Sequence, residues 1–313
     1  MEIKNYGVII EQKISDWVSG VTSQIIYRIV LACGDWLKYL PTKEKQLINN
    51  LFETFACVTF SALNVIETTI DMMVAMAMIP ADQLKKLQDW GYFDSEGHFN
   101  ASDAFIAILS GTQYKYDVNK PFGNSASKVW DTINKYGLVP QSMLDRSNAK
   151  TADEWYATIP QEVIDFGKNF FVVFNKIQYE QIKSGDCGPA DLSLLQYHLK
   201  QSPLQMLAHC AQNNTDEFFK NTDCEAQHAT AIFSAADYIG QFDTYGNFIN
   251  KLDKNYVIPY IIKAVVTLKQ PGTIEQQKIA ILKLMIQIYT QWISMLQNKA
   301  GAIVGAIKNT FKK

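Results

Sequence analysis

The longest apolar run in the chain begins at a cysteine. "CVTFSALNVIETTIDMMVAMAMI" (57–79) carries only a few polar side chains, among them Glu67 and Asp71, and Pro80 follows it. Proline disfavours helical geometry in the residue before it, so the run predicts a buried helix over 57–79. Upstream, residues 1–35 place Val8, Ile9, Ile10, Ile14, Trp17, Val18 and Val21 at helical spacing and predict an amphipathic N-terminal helix. "WLKYLPTKEKQLINN" (36–50) is polar, contains a proline and reads as a connector. Residues 91–127 are rich in loop formers, and a helix is expected from Lys128 to Tyr136, stopped by Gly137.

Beyond that point the pattern changes. "FFVVFNKI" (170–177), "HATAIFSA" (228–235), "DYIGQFD" (237–243) and "NYVIPYIIKAVV" (255–266) are β-branched and aromatic runs that predict strands. Between them, "SGDCGPADLSLLQYHLK" reads as a turn and then a helix capped near Asp191. After "QPG" (270–272), a helix over about 273–297 is apolar on more than one face, and 299–313 is basic and amphipathic. Helices thus dominate the first half and strands the second, which predicts an α+β protein with two lobes.

Composition narrows the function classes. The 313 residues include 29 basic and 31 acidic side chains, a net charge of −2, and Arg28 and Arg146 are the only arginines. That balance argues against nucleic acid as a partner. The five cysteines (33, 57, 187, 210 and 224) are odd in number and form no CxxC pair. They argue against a disulfide framework or a zinc ribbon, and for a reducing, cytoplasmic setting. Cys187, His209, Cys210 and Cys224 match no common zinc spacing, so neither metal nor cofactor is expected. Charges interrupt the N-terminal segment where a signal peptide would be apolar, and no run of 18 apolar residues predicts a membrane span.

Cys57 carries the candidate chemistry. A cysteine on an apolar helix is ordinarily packing. At a helix N-terminus, however, unpaired N–H groups and the helix dipole stabilise a thiolate. A base is available in "HATAIFSAADYIGQFD" (228–243). With Ala235-Ala236 as a two-residue turn, His228 faces Asp243 across a hairpin, with Cβ atoms about 5 Å apart. Asp243 would then accept the imidazole Nδ1–H and leave Nε2 to take the thiol proton.

The stretch Cys57, Phe60, Ser61, Ala62 and Glu67 resembles the active-site helix of the papain-like (C1-type) cysteine peptidases, C-W-A-F-S-A with a glutamate ten residues after the cysteine. Asp35-Trp36 resembles that family's DW near the start of the mature enzyme, and Gln227-His228-Ala229 its histidine strand. "DTYG" (243–246) aligns with its N-S-W-G, "FGNSASKVWDTINKYGL" (122–138) with its glycine-containing loop and helix, and "LKQSPLQMLA" (199–208) with the strand before the histidine. The resemblance covers roughly 36–268 and looks nearest to papain-like proteins predicted in tailed-bacteriophage genomes. It implies a papain-like peptidase domain over 36–268, with a helical lobe at about 51–150, a β lobe at about 151–268 and a cleft between them. An N-terminal extension (1–35) and a C-terminal tail (269–313) would flank it. It further implies Cys57 as nucleophile, His228 as base, Asp243 as orienter, Gly123 pairing with an extended substrate, a peptide or protein as substrate, and no cofactor.

The chain departs from the family in three places. Val58 replaces the tryptophan after the nucleophile, and Tyr245 replaces the tryptophan that shields the histidine. The oxyanion glutamine is expected six residues before the nucleophile, where Leu51 stands. Gln46, Asn49 and Asn50 are the candidate replacements. A rival reading keeps the fold but makes the protein a structural or delivery component of a phage virion or tail. The 269–313 tail would then serve homo-oligomer or virion assembly, or contact with a membrane surface. A third reading, cleavage of cell-wall peptide cross-links, shares the cysteine–histidine chemistry.

Overall fold

A computed structural model of the protein describes residues 34–209, 218–245 and 248–269, together with the helical Ile293 and Gln297. The N-terminal helix expected over 1–35 and most of the tail expected over 269–313 lie outside the described residues. The chain enters at Trp36, which is fully buried; its backbone N–H donates to Phe233 O at 2.9 Å and its indole N–H to Leu199 O at 2.7 Å. The predicted connector holds a short hairpin, β1 (Leu47–Ile48) and β2 (Phe52–Glu53), turned by Asn49 and Asn50 at φ 51° and 58°. Asparagine tolerates this left-handed region better than most residues.

Helices follow. They are α1 (Cys57–Ala75), α2 (Ala81–Asp89), α3 (Asp103–Leu109), α4 (Ala126–Tyr136), α5 (Ala152–Trp155), α6 (Gln161–Phe166) and α7 (Phe170–Val173). The first ends four residues earlier than the apolar run implied. Ala77 adopts φ 50° there, and its neighbours close the helix with turn hydrogen bonds. The fourth stops at Gly137 (φ 76°) as expected, in a conformation that costs a glycine little. "FFVVFNKI" is a correction: its first half is α7, not a strand. Phe170, Val173 and Phe174 are all fully buried, at the i, i+3, i+4 spacing of a helix.

The remaining elements are β3 (Gln178–Ser184), α8 (Leu192–Leu199), β4 (Leu204–Ala208), β5 (His228–Ala235), β6 (Ile239–Phe242), β7 (Ile249–Leu252) and β8 (Tyr260–Val265). Asp191 caps α8, its side chain accepting from Ser193 N–H. The strands form one antiparallel sheet in the order β3-β8-β4-β5-β6-β7, so β5 lies inside it with partners on both edges. Helices before the sheet and strands within it make the chain α+β. Helix α1 packs on β4 and β5, and seventeen of its nineteen residues are buried, so it is the core helix the sequence pattern called for.

The cysteines bring a second correction. Cys187, in the loop after β3, and Cys224, just before β5, form a disulfide with Cα atoms 5.0 Å apart. The odd count concealed a pair separated by 37 residues.

Candidate active site

Cys57 is the first residue of α1 and is fully buried. No side chain caps this helix, and Thr59 and Phe60 donate their N–H groups to Ala56 O at 2.8 and 3.1 Å. The segment leading into it is held tightly. Phe55 adopts φ 56°, and its N–H donates to Glu53 Oε1 at 2.9 Å. Tyr156 donates its hydroxyl to Thr54 O at 2.6 Å. The Phe55 ring stacks on Phe122 at 4.4 Å.

His228 opens β5, opposite Ala208 of β4. Its Nε2 meets Asp243 Oδ1 at 2.7 Å, with both side chains buried. The hairpin that brings them together differs from the expected one. Ala235 pairs with Ile239, so the loop is Ala236–Tyr238 rather than an Ala235-Ala236 turn, and a bulge interrupts the ladder between Ile232 and Ser234. Ala231 then faces Phe242, a register two residues away from the predicted one. A shift of two keeps every side chain on its original face, so His228 and Asp243 still meet, diagonally. The ring nitrogens are exchanged relative to the expectation. Nε2 is committed to Asp243, so Nδ1 is the ring nitrogen that remains to take a proton.

Cys57 lies close enough to this ring to bear on its electrostatics. Burial opposes a charged imidazole, but the Asp243 carboxylate and the Cys57 contact outweigh it, and the His228 pKa lies well above the ordinary histidine value. The Tyr245 ring packs against the imidazole, with centroids 5.3 Å apart.

The three candidate oxyanion residues separate. Gln46 is fully buried; its Nε2 donates to the Tyr245 hydroxyl, and its Oε1 accepts from Thr244 Oγ1 at 3.2 Å. Gln46 O also accepts Thr54 N–H at 3.2 Å, so the β1–β2 hairpin is an excursion that starts and ends beside the cysteine's leader. Asn49 and Asn50 lie at the exposed tip of that hairpin. Asn49 donates to Ser147 O at 2.8 Å, and both residues line a separate recess of about 400 Å³ that includes Glu44, Asp103 and Arg146. Leu51 is 58% exposed.

Gly123 is also placed differently from its expected role. It is buried at φ 101°, and it exchanges both backbone hydrogen bonds with Gln113 at 2.8 Å. Its N–H is therefore not open to an extended substrate. The other histidines play structural parts. His98 Nδ1 meets Asp71 Oδ2 at 2.7 Å, near the C-terminal end of α1, where burial pushes the Asp71 carboxyl up to about 6. His209 Nδ1 lies 3.6 Å from Asp223 Oδ2, and donor atoms of His209, Asp223 and Glu225 come within 4.8 Å of one another. Cys187 and Cys224, which also figured as possible metal ligands, are bonded to each other.

Two residues of the site are invisible to motif reading. Gln205, on β4, is fully buried and donates to Val58 O (2.9 Å) and Ser61 Oγ (2.8 Å) of α1, while accepting Trp130 Nε1–H (2.8 Å) from α4. Glu53 receives the Tyr245 hydroxyl proton at Oε2. A glutamine in the otherwise apolar "LQMLA" was the one available hint of the first.

No family model matches the chain, and no curated protein matches it. Among solved structures, one from work on antibody cross-reactivity between the mite allergens Blo t 1 and Der p 1 is similar. It is 12% identical, with 80% of this chain and 76% of that chain covered, at a TM-score of 0.46.

Proposed function

We propose that the protein is a papain-like cysteine peptidase that hydrolyses peptide bonds in a cleft between its helical and β-rich parts. The observation that carries the reading is the buried grouping of Asp243, His228 and Cys57, in which one imidazole meets a carboxylate through Nε2 and also feels a helix-terminal thiol. A thiol needs a base to be a nucleophile at neutral pH, and an imidazole needs a partner to fix its tautomer.

In this mechanism His228 Nδ1 takes the Cys57 proton, and Asp243 stabilises the resulting imidazolium. The thiolate attacks the peptide carbonyl. The oxyanion is received by the Cys57 backbone N–H and by the Gln46 side-chain amide. His228 returns the proton to the leaving amine. Water, activated by the same imidazole, then releases the acyl group and restores the thiol. Asp243 here does the work that an asparagine does in the resembling family. It adds a negative charge, so the imidazolium formed when His228 takes the proton is favoured more strongly.

The test is Cys57→Ala in the full chain. The wild type should cleave a mixed protein substrate and take one label from a thiol-directed epoxide at Cys57, and the variant should do neither. Cleavage retained in Cys57→Ala overturns the assignment.

A further inference from the structure

We propose that Glu53 is a positioning residue of this reaction: through the Tyr245 hydroxyl it sets the orientation of the Gln46 amide, and it holds a second negative charge beside His228. The proposal rests on the peptidase reading above and names a part of the site that reading does not require.

The argument is one of proton counting. The Tyr245 hydroxyl has a single proton, and Glu53 Oε2 accepts it. The oxygen is left with lone pairs only, and Gln46 Nε2–H donates to it. On the other side of the same amide, Thr244 Oγ1 donates to Oε1 at 3.2 Å. Flipping the amide would set Oε1 against a tyrosine oxygen whose proton has already gone to Glu53. The arrangement therefore selects one sense of the amide, and an amide held in that sense keeps its second Nε2–H as a donor for an oxyanion. Without the carboxylate, the tyrosine proton is free to turn to Gln46 and either sense becomes acceptable.

The same carboxylate reaches two other parts of the site. Its Oε1 accepts Phe55 N–H at 2.9 Å, two residues before Cys57, and so supports the left-handed turn (φ 56°) that delivers the cysteine to the helix N-terminus. A non-glycine residue there is strained by about 1 kcal/mol or more, so a specific partner matters. Glu53 also lies one side chain away from the base: the tyrosine it accepts from packs its ring on the imidazole, with centroids 5.3 Å apart. Burial raises the Glu53 pKa, and the Tyr245 and Phe55 hydrogen bonds and the His228 charge act against that rise. One side chain thus links the nucleophile's leader, the oxyanion amide and the base.

Two variants separate the two effects. Glu53→Gln keeps the size and removes the charge. It should lower the His228 imidazole pKa, read by NMR titration, by about 0.5–1 unit. It should also reduce kcat about 10-fold with KM within about twofold, because the loss is of transition-state orientation. Tyr245→Phe keeps the ring on His228 and removes the relay. It should reduce kcat by a similar factor, roughly 10- to 100-fold, without lowering the imidazole pKa. Glu96→Gln, in an exposed loop, should move neither reading. An active wild type whose Glu53→Gln and Tyr245→Phe variants match it in kcat and in imidazole titration overturns this proposal and leaves the peptidase reading standing. A wild type that neither cleaves peptides nor takes the thiol label overturns the peptidase reading itself.

Discussion

At the scale of single residues, the charge on Asp243 has a consequence an asparagine would not have. The His228 pKa is held well above its ordinary value of about 6.5, chiefly against burial and by Asp243. A raised histidine pKa stabilises the folded state fully below the unfolded value, and that contribution is lost as pH rises through the folded one. Asp243→Asn keeps the hydrogen bond at Nε2 and removes the charge. The alkaline limb of kcat/KM should therefore move to lower pH while the optimum rate stays within about 10-fold, in the range that positioning effects span. An unmoved limb in a pH–rate profile would contradict the assignment of that limb to His228. Much at this scale was legible in the sequence. Cys57 heads its helix as expected, and His228 and Asp243 share a face because strand parity survives a two-residue register shift. The ring nitrogens were not legible, because spacing says nothing of how an imidazole turns. Which of Gln46, Asn49 and Asn50 lies beside the cysteine's leader was not legible, since counting back from Cys57 runs through the hairpin that loops out between them.

At the scale of elements, the site depends on how α1 is held to the sheet. Gln205 does this with three buried hydrogen bonds, two to the first turns of α1 and one from Trp130 of α4. Glu67 adds a tie farther along the helix, where its buried carboxyl accepts Ala101 N–H at 2.8 Å. Gln205→Ala would leave the buried Trp130 Nε1–H without its acceptor, while the Ser61 hydroxyl keeps its bond to Val58 O at 3.1 Å. The expected loss is about 1–3 kcal/mol in urea unfolding, the cost of one abandoned buried donor. Turnover should fall further than the folded fraction does, because an ångström of drift in α1 separates Cys57 from His228. Equal losses of stability and turnover would mean that Gln205 supports the fold alone. The helix itself was plain from its apolar run, and so were β5, β6 and β8. The first half of "FFVVFNKI" was misread because a short apolar run fits a strand and a buried helical turn equally well. Packing of Phe170 and Phe174 decides between them, and that information lies in other segments.

At the scale of the whole molecule, the helix-first, strand-later order was legible, because each segment's own periodicity reports its type and the α+β class follows from their sequence. The disulfide was not legible, since no local pattern joins Cys187 to Cys224. It closes a stretch of 37 residues that contains α8 and β4, and it fastens the loop after β3 to the segment leading into His228. A cross-link of that span restricts the unfolded chain by about 3–4 kcal/mol on the chain-entropy account. Reduction should therefore lower the urea midpoint by a corresponding amount, and the Cys187→Ser, Cys224→Ser double variant should show the same midpoint with and without reductant. The catalytic consequence is separable from the stability one. Because the bridge anchors the approach to β5, its loss should loosen His228 before it unfolds the sheet, and turnover should decline at urea concentrations where the folded signal is still complete. Mass mapping of unreduced peptides supplies the direct check: the Cys187 and Cys224 peptides should migrate as one species until reductant parts them. Two separate peptides without reductant would remove both the anchor and the stability difference built on it.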